Sequence, residues 1–443
     1  MVLPVLFAVS CLGLARRMFG SGWTSNMQVW FLFLFFVMDF IGMHILWMVD
    51  GDPCNPVLIW VLYLLPVCLL AANLLMVRHP PAARGAAVPP ADLEPGSGPV
   101  LLMLGSLSLV FLAIYIRNVP HVPLLVALSG ADEVADSRAE STLWQAGTLF
   151  KYVWLVVVRY LLPLVAIACF VRARLTRRVL HRTAVWFLLP VTYVTLMIDA
   201  QKAQVIFFTV QLLVASLLMK HRLGLPSPKQ PRTGRRFAIG IASVLLGLEC
   251  LAIMYYGFMV HSHEPGESFW HANGFILEAI FRRTFISQAR PLNVIFNAFP
   301  DHHAFLMGRT FPLSEWMGLG PRFDLSMFAF EQIFGFAKGG ASCLFVAEFY
   351  ADFGPWAAVA SIVLFAIGFV AIERRLRDQL TRPKAIIAYA FLTGYVMRLA
   401  VTQVIMGLGL PLVGLLLYRL IGRVIRRQVK SPPAIAVPTP DGG

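Results

Sequence analysis

Charged side chains are scarce in this chain. Asp, Glu, Lys and Arg make up 14% of its 443 residues, apolar residues make up 58%, and mean hydropathy is +0.73. Soluble globular chains carry about 25% charged and about 45–50% apolar residues. The shortfall excludes a soluble enzyme, a disordered protein and a disulfide-rich secreted domain. Apolar surface must be buried in lipid. Cysteine is sparse too: Cys11, Cys54, Cys68, Cys169, Cys250 and Cys343 show neither a pairing pattern nor metal-ligand spacing. There is no internal repeat, so an inverted-repeat transporter gains no support. Gly339-Gly340 lacks the phosphate-loop pattern, and no other nucleotide loop is present. Acidic residues number 23 against 37 basic ones, a net charge of +14. Such a balance suits nucleic acid or an acidic membrane. No basic patch alternates with aromatics in a soluble segment, so nucleic acid is not an expected partner.

What the chain does have is long continuous apolar runs, unlike the alternating runs of a membrane β-barrel. A spanning helix needs about 20 apolar residues. Runs near 28–49, 56–77, 99–116, 152–171, 184–199, 203–219, 237–260, 342–371, 385–402 and 406–422 meet that need, and residues 2–15 are a shorter candidate. The expected fold is an all-α polytopic membrane protein, one integral membrane domain over 1–443. It has about eleven transmembrane helices, or ten if residues 2–15 do not span. Residues 2–15 lack a basic leading region, which argues against a secretory signal.

Basic clusters orient the spans. They are Arg16-Arg17, Arg78 with Arg84, the runs Arg172–Arg182, Lys220–Arg236 and Arg374–Lys384, and the tail Arg419–Lys430. Placing all six inside alternates correctly with every span and leaves the amino terminus outside. Residues 79–98 read as a flexible cytoplasmic linker and 431–443 as a flexible cytoplasmic tail. The substantial outer segments are 117–151 and 261–341.

The longer outer loop is apolar and aromatic, so it should be ordered against the membrane. Residues 273–289 read as an amphipathic helix lying flat in the headgroup layer. Arg283 and Arg290, seven apart, would share one face of a continuous helix, with Pro291 positioned to disturb that register. Single arginines here can simply snorkel to lipid, and Glu278 can pair with Arg282. As a group, Arg282, Arg283, Arg290, Arg309 and Arg322 suit a diphosphate, because guanidinium forks match phosphate oxygens and offset charge on a leaving diphosphate. Asp301-His302-His303 offers acid/base groups, but three adjacent residues rarely converge on one metal ion.

Farther on, Glu348 and Asp352 are four apart and share a helix face before Gly354-Pro355. They are candidate general bases, or boundary carboxylates paired with arginine. Lys202 stands at the outer turn 199–202 and can reach a phosphate or pair with Asp199. In segment 117–151, Arg138 and Glu140 are candidate sugar contacts. Asp39, His44, Arg159, Glu249 and Arg398 fall inside spans, where ionisable groups are costly and face protein or water.

Together these features resemble the oligosaccharide repeat-unit polymerases of bacterial surface polysaccharides, the O-antigen polymerase (Wzy-type) group. GGASCLFVAEFYADFG (339–354) resembles that family's Gly-rich lead-in to a Glu-x-Tyr-x-x-Phe-Gly helix. RRTFISQARPLNVIFNAFPDHHAFLMGRT (282–310) resembles the loop preceding it. The junction at 199–218 is a looser likeness, with Lys202-Ala203 where the family has Lys-Gly. The likeness covers about the second half of the chain.

The resemblance implies a GT-C-like glycosyltransferase in the bacterial inner membrane, with its active site facing the periplasm. It implies undecaprenyl-diphosphate-linked oligosaccharides as substrates; no cofactor is expected and no residue is assigned to a metal, the need for one being left open by the sequence. Membrane lipids and chain-length regulator and flippase proteins are the implied partners. Arg282, Arg283, Arg290 and Arg309 would hold diphosphate, helped by Lys202. Glu348 is the first choice for catalytic base, then Asp352, with His302 or His303 as substitutes. Tyr350 would contact sugar. An O-antigen ligase, another polyprenyl-phosphate-dependent glycosyltransferase, a polysaccharide flippase or transporter, and a non-catalytic scaffold remain as alternatives.

Overall fold

A computed structural model describes residues 2–51, 53–76, 97–119, 121–128, 153–176, 179–198, 202–223, 278, 281–311, 314–335, 340–341, 343–380, 382–400, 409 and 411–420. The described residues contain helices and turns but no strand. Six helices are long and apolar enough to cross a bilayer. This is the architecture of a helical multi-pass membrane protein.

The chain begins with α1 (Val2–Phe19), which reaches four residues beyond the expected 2–15 and ends on Arg16 and Arg17. α2 (Met27–Val49) is capped by the Asn26 side chain and widens into a π-turn at Phe36–Phe40. α3 (Pro56–Met76), α4 (Ser97–Asn118) and the short α5 (Pro123–Leu128) follow. Next come α6 (Val156–Thr176), α7 (Val179–Met197) and α8 (Lys202–Leu223). The expected span 237–260 lies outside the described residues.

In the segment expected to lie outside, a π-turn at Arg282–Ile286 leads into α9 (Ser287–Ala298), and α10 (Leu325–Phe334) follows a looped stretch. The expected span 342–371 is divided in two. α11 (Phe345–Phe353) stops at Gly354, and α12 (Pro355–Arg377) is the spanning element. Gly354 has φ 82° and ψ −169°, open to glycine but strained for other residues, and Pro355 then starts a new helix. α12 is about 35 Å long at 1.5 Å per residue, enough for a ~30 Å hydrocarbon core. α13 (Pro383–Arg398) and α14 (Pro411–Leu420) close the described chain.

α13 is the centre of the bundle. Its residues from Ala385 to Met397 are all buried, as expected of a helix that is apolar all round. It packs against α8, α2 and α6. A polar cluster ties four helix ends together. The Gln28 amide and the Tyr389 hydroxyl both donate to the Glu373 carboxylate, and Asn73 donates to Gln28. The Met27 N–H donates to the Tyr389 oxygen over 3.0 Å, and Arg374 donates to the Met76 carbonyl. The start of α2, the end of α3, the end of α12 and the start of α13 therefore meet on one side. That is the side expected to be inside, from the basic run Arg374–Lys384.

Candidate functional site

The opposite ends of α2 and α12 meet the arginine-bearing segment. The expected headgroup-layer helix, 273–289, lies mostly outside the described residues, and α9 begins only at its end. Asn293 donates to the Pro53 carbonyl over 3.2 Å, and Asn55 donates to the Phe296 carbonyl over 2.7 Å. At the other end of α9, a Cβ on Gly42 would stand 2.3 Å from the Phe285 carbonyl oxygen and 3.1 Å from Ala289 Cβ. The helix thus runs along the second half of α2, from Gly42 to the loop at Asn55. Its apolar stripe, including Ala289, Leu292, Ile295 and Phe296, is buried in protein.

The register of the arginines changes as well. The π-turn inserts one residue and rotates everything after it by about 100°. Arg283 lies within it, and Arg290 lies four residues beyond its end. Arg290 and Arg282 are exposed, and the Arg283 side chain lies outside the described residues. The expected pair forms: Arg282 Nε stands 2.9 Å from Glu278 Oε1, with both side chains more than half exposed.

α11 gathers the rest. Glu348 and Asp352 sit four apart on it and both are buried. Asp352 is occupied by a loop. It accepts the N–H of Gly308 at 3.0 Å, the N–H of Thr310 at 3.3 Å and the Thr310 hydroxyl. The backbone adds Leu306 N–H to the Ala351 carbonyl (2.9 Å) and Met307 N–H to the Asp352 carbonyl (3.0 Å). Burial pushes Asp352 above the usual carboxylate range, opposed by these donors. Asp352 therefore clamps the loop that carries Arg309.

Tyr350 is also committed inward. Its ring stacks on Phe296 at 4.0 Å, and its hydroxyl donates to the Phe299 carbonyl over 2.7 Å. Tyr350, the candidate sugar contact, thus ties α11 to the end of α9. Glu348 is buried, and its charge is felt at the Cys343 thiol together with those of half-buried Asp324 and buried Asp39.

His302 and His303 are exposed on the turn after α9, both donating backbone N–H to the Ala298 carbonyl at 2.9 Å. The His303 ring meets Phe328 edge-on at 5.0 Å. Arg309 is half-buried, and its Nε–H donates to the Pro321 carbonyl over 3.1 Å. Arg322 Nε is buried without a hydrogen-bond partner. Lys202 is the first residue of α8, and its side chain lies outside the described residues, as do Arg138 and Glu140. Among the described residues no group of three or more His, Cys, Asp or Glu side chains is placed to hold a metal ion.

Sequence reasoning did not reach three features. Thr310 and Gly308 form the Asp352 clamp from some forty residues upstream. Asn55 and Asn293 stitch α9 to the loop after α2. Asp39 lies in the α2 π-turn that packs against the Arg282–Ile286 π-turn, and its Oδ2 is buried without a hydrogen-bond partner. Two π-turns in contact, one bearing a buried acid and one bearing arginines, are a local signal that spacing alone does not show. The chain matches no family model, no curated protein and no solved structure.

Proposed function

We propose that this chain polymerises lipid-linked oligosaccharide repeat units in bacterial surface-polysaccharide synthesis. It would do so as a GT-C-like glycosyltransferase of about eleven spans, resident in the inner membrane with its site facing the periplasm. The observation that carries the reading is the gathering of arginine-bearing loop and helix around α11, with its buried Glu348, on a lipid-embedded helical body.

In the proposed reaction, the hydroxyl oxygen of an acceptor sugar bonds to the anomeric carbon of the donor chain. The bond from that carbon to the diphosphate oxygen breaks, and undecaprenyl diphosphate leaves with the electron pair. The hydroxyl proton passes to a base. Glu348 is the first choice, with exposed His302 or His303 as substitutes. Arg282, Arg283, Arg290 and Arg309 hold the diphosphate with help from Lys202, and offset the charge that grows on it. The linkage itself supplies the energy, so no nucleotide is needed. With Asp352 given over to the loop clamp, its contribution is to position Arg309.

The test is deletion of the gene in its host, followed by analysis of lipid-linked oligosaccharide and surface polysaccharide. Single repeat units should accumulate while long chains vanish. Long lipid-linked chains left unattached would indicate a ligase instead, and an unchanged profile would overturn the reading. Complementation with Arg290→Ala should restore protein level but not polymer. Full polymer from that variant would remove Arg290 from the site.

A further inference from the structure

The loop that follows the Asp352 clamp holds large apolar side chains outward. Trp316 is 86% exposed, and Met317 and Leu319 are exposed beside it. The loop is internally bonded. Ser314 N–H donates to the Phe311 carbonyl (3.0 Å), Gly318 N–H to the Glu315 carbonyl (3.1 Å) and Leu319 N–H to the Ser314 carbonyl (2.9 Å). Gly318 and Gly320 turn with φ of 74° and 99°, which side chains with a Cβ rarely adopt. Arg309 fixes the loop base at Pro321, and the Glu315 carboxylate accepts the Arg322 N–H over 3.3 Å. The fold thus spends backbone bonds on presenting an apolar tip that none of the described residues covers.

The apolar surface continues onto the spanning helix. A Cβ at Gly308 would lie 3.0 Å from Leu319 Cδ1 and 3.5 Å from Phe353 Cζ, so the loop leans on the end of α11. Phe353 is exposed, and Trp356 in the first turn of α12 is 84% exposed. Along α12, Leu364, Ile367 and Ile372 are exposed too, as on any helix facing lipid. The far end of α12 carries Arg374, Arg375 and Arg377, the signature of an inner end. The loop and Trp356 therefore stand at the outer end, the level at which tryptophan concentrates in membrane proteins. Arg309 and Arg322 at the loop base bring cations to the level of lipid phosphates.

We propose that residues 314–320 form an interfacial wedge. Trp316, Met317 and Leu319 insert among outer-leaflet phospholipids beside Trp356, with Arg309 and Arg322 against their phosphates. Wedge and clamp are one mechanical unit, because Arg309 joins the loop base through its side chain and sits in the Asp352-held turn. Insertion thereby sets the height of Arg309 at the membrane. The insertion of the apolar tip itself does not depend on which reaction the chain performs.

The test uses the full chain in nanodiscs of phosphatidylethanolamine and phosphatidylglycerol. Nitroxide labels are placed by Trp316→Cys or Met317→Cys in a variant with its six native cysteines replaced. Glu331→Cys, on exposed α10, serves as the reference. Relaxation at 316 and 317 should respond to oxygen more than to a water-soluble nickel complex, with the reverse at 331. Nickel access at 316 equal to that at 331 overturns the proposal. So does dipolar broadening between labels, which would mean that a second copy covers the patch. A second measurement keeps the native cysteines: brominated lipid should quench the wild type more than Trp316→Phe. Equal quenching also overturns the wedge.

Discussion

Asp352 is shielded from solvent, yet it receives three donors from a loop some forty residues upstream. Its place on a face shared with Glu348 was readable from the spacing of four. Its partners were not, because Gly308 and Thr310 carry no local signature of their acceptor. The two carboxylates are separable by substitution. Asp352→Ala leaves two buried N–H groups and a hydroxyl unpaired and should cost about 2–3 kcal/mol, read as a lowered Tm in detergent. Asp352→Asn keeps an acceptor for the loop and should retain polymer formation, whereas Glu348→Gln should keep the Tm and lose polymer. Loss of polymer in stable Asp352→Asn would return Asp352 to the chemistry.

The same residue gives a signed pH dependence. Because burial raises Asp352 in the folded chain, the folded state holds its proton more tightly than the unfolded state does. That contribution is full below the unfolded value and is lost as pH rises through the folded one. Asp352→Asn should flatten the Tm profile across that window, and an unchanged slope would show that Asp352 does not set it.

At the scale of elements, continuous apolar length located the helices well. Met27–Val49 and Pro56–Met76 fall within a residue or so of the expected 28–49 and 56–77. What length could not reveal was the contact of two π-turns. A π-turn changes which residues share a face without changing composition, and spacing alone does not register the one at Arg282–Ile286. Gly42 is the residue on which this contact depends. An added methyl would strike the Phe285 carbonyl, a backbone atom that cannot rotate away. Gly42→Ala should therefore cost about 1–3 kcal/mol through overpacking. Gly13, with no atom within 4 Å of its ideal Cβ, is the control, and Gly13→Ala should be neutral or slightly stabilising. Equal Tm values for the two variants would mean that α9 is not pressed onto α2.

At the scale of the whole molecule, the pattern of arginines and the packing make one prediction together. Positive charge alone placed Arg374–Lys384 inside, and the buried cluster of Gln28, Asn73, Glu373 and Tyr389 gathers four helix ends on that same side. The turn after α9 belongs to the opposite face, because α9 is stitched to the loop at Asn55, beyond the far end of α2. Asp301 and Asp378 are both exposed, one on each side. In intact spheroplasts, an impermeant maleimide should modify Asp301→Cys at once and Asp378→Cys only after lysis. The sequence alone supports this only through charge counting, whereas the packing adds that the two positions lie at opposite ends of the bundle. If Asp378→Cys reacts first, the bundle is inverted and the arginines around α11 face the cytoplasm. No periplasmic polymerase could then use them. If both react alike in sealed spheroplasts, α12 does not span, and the wedge at its outer end loses its membrane.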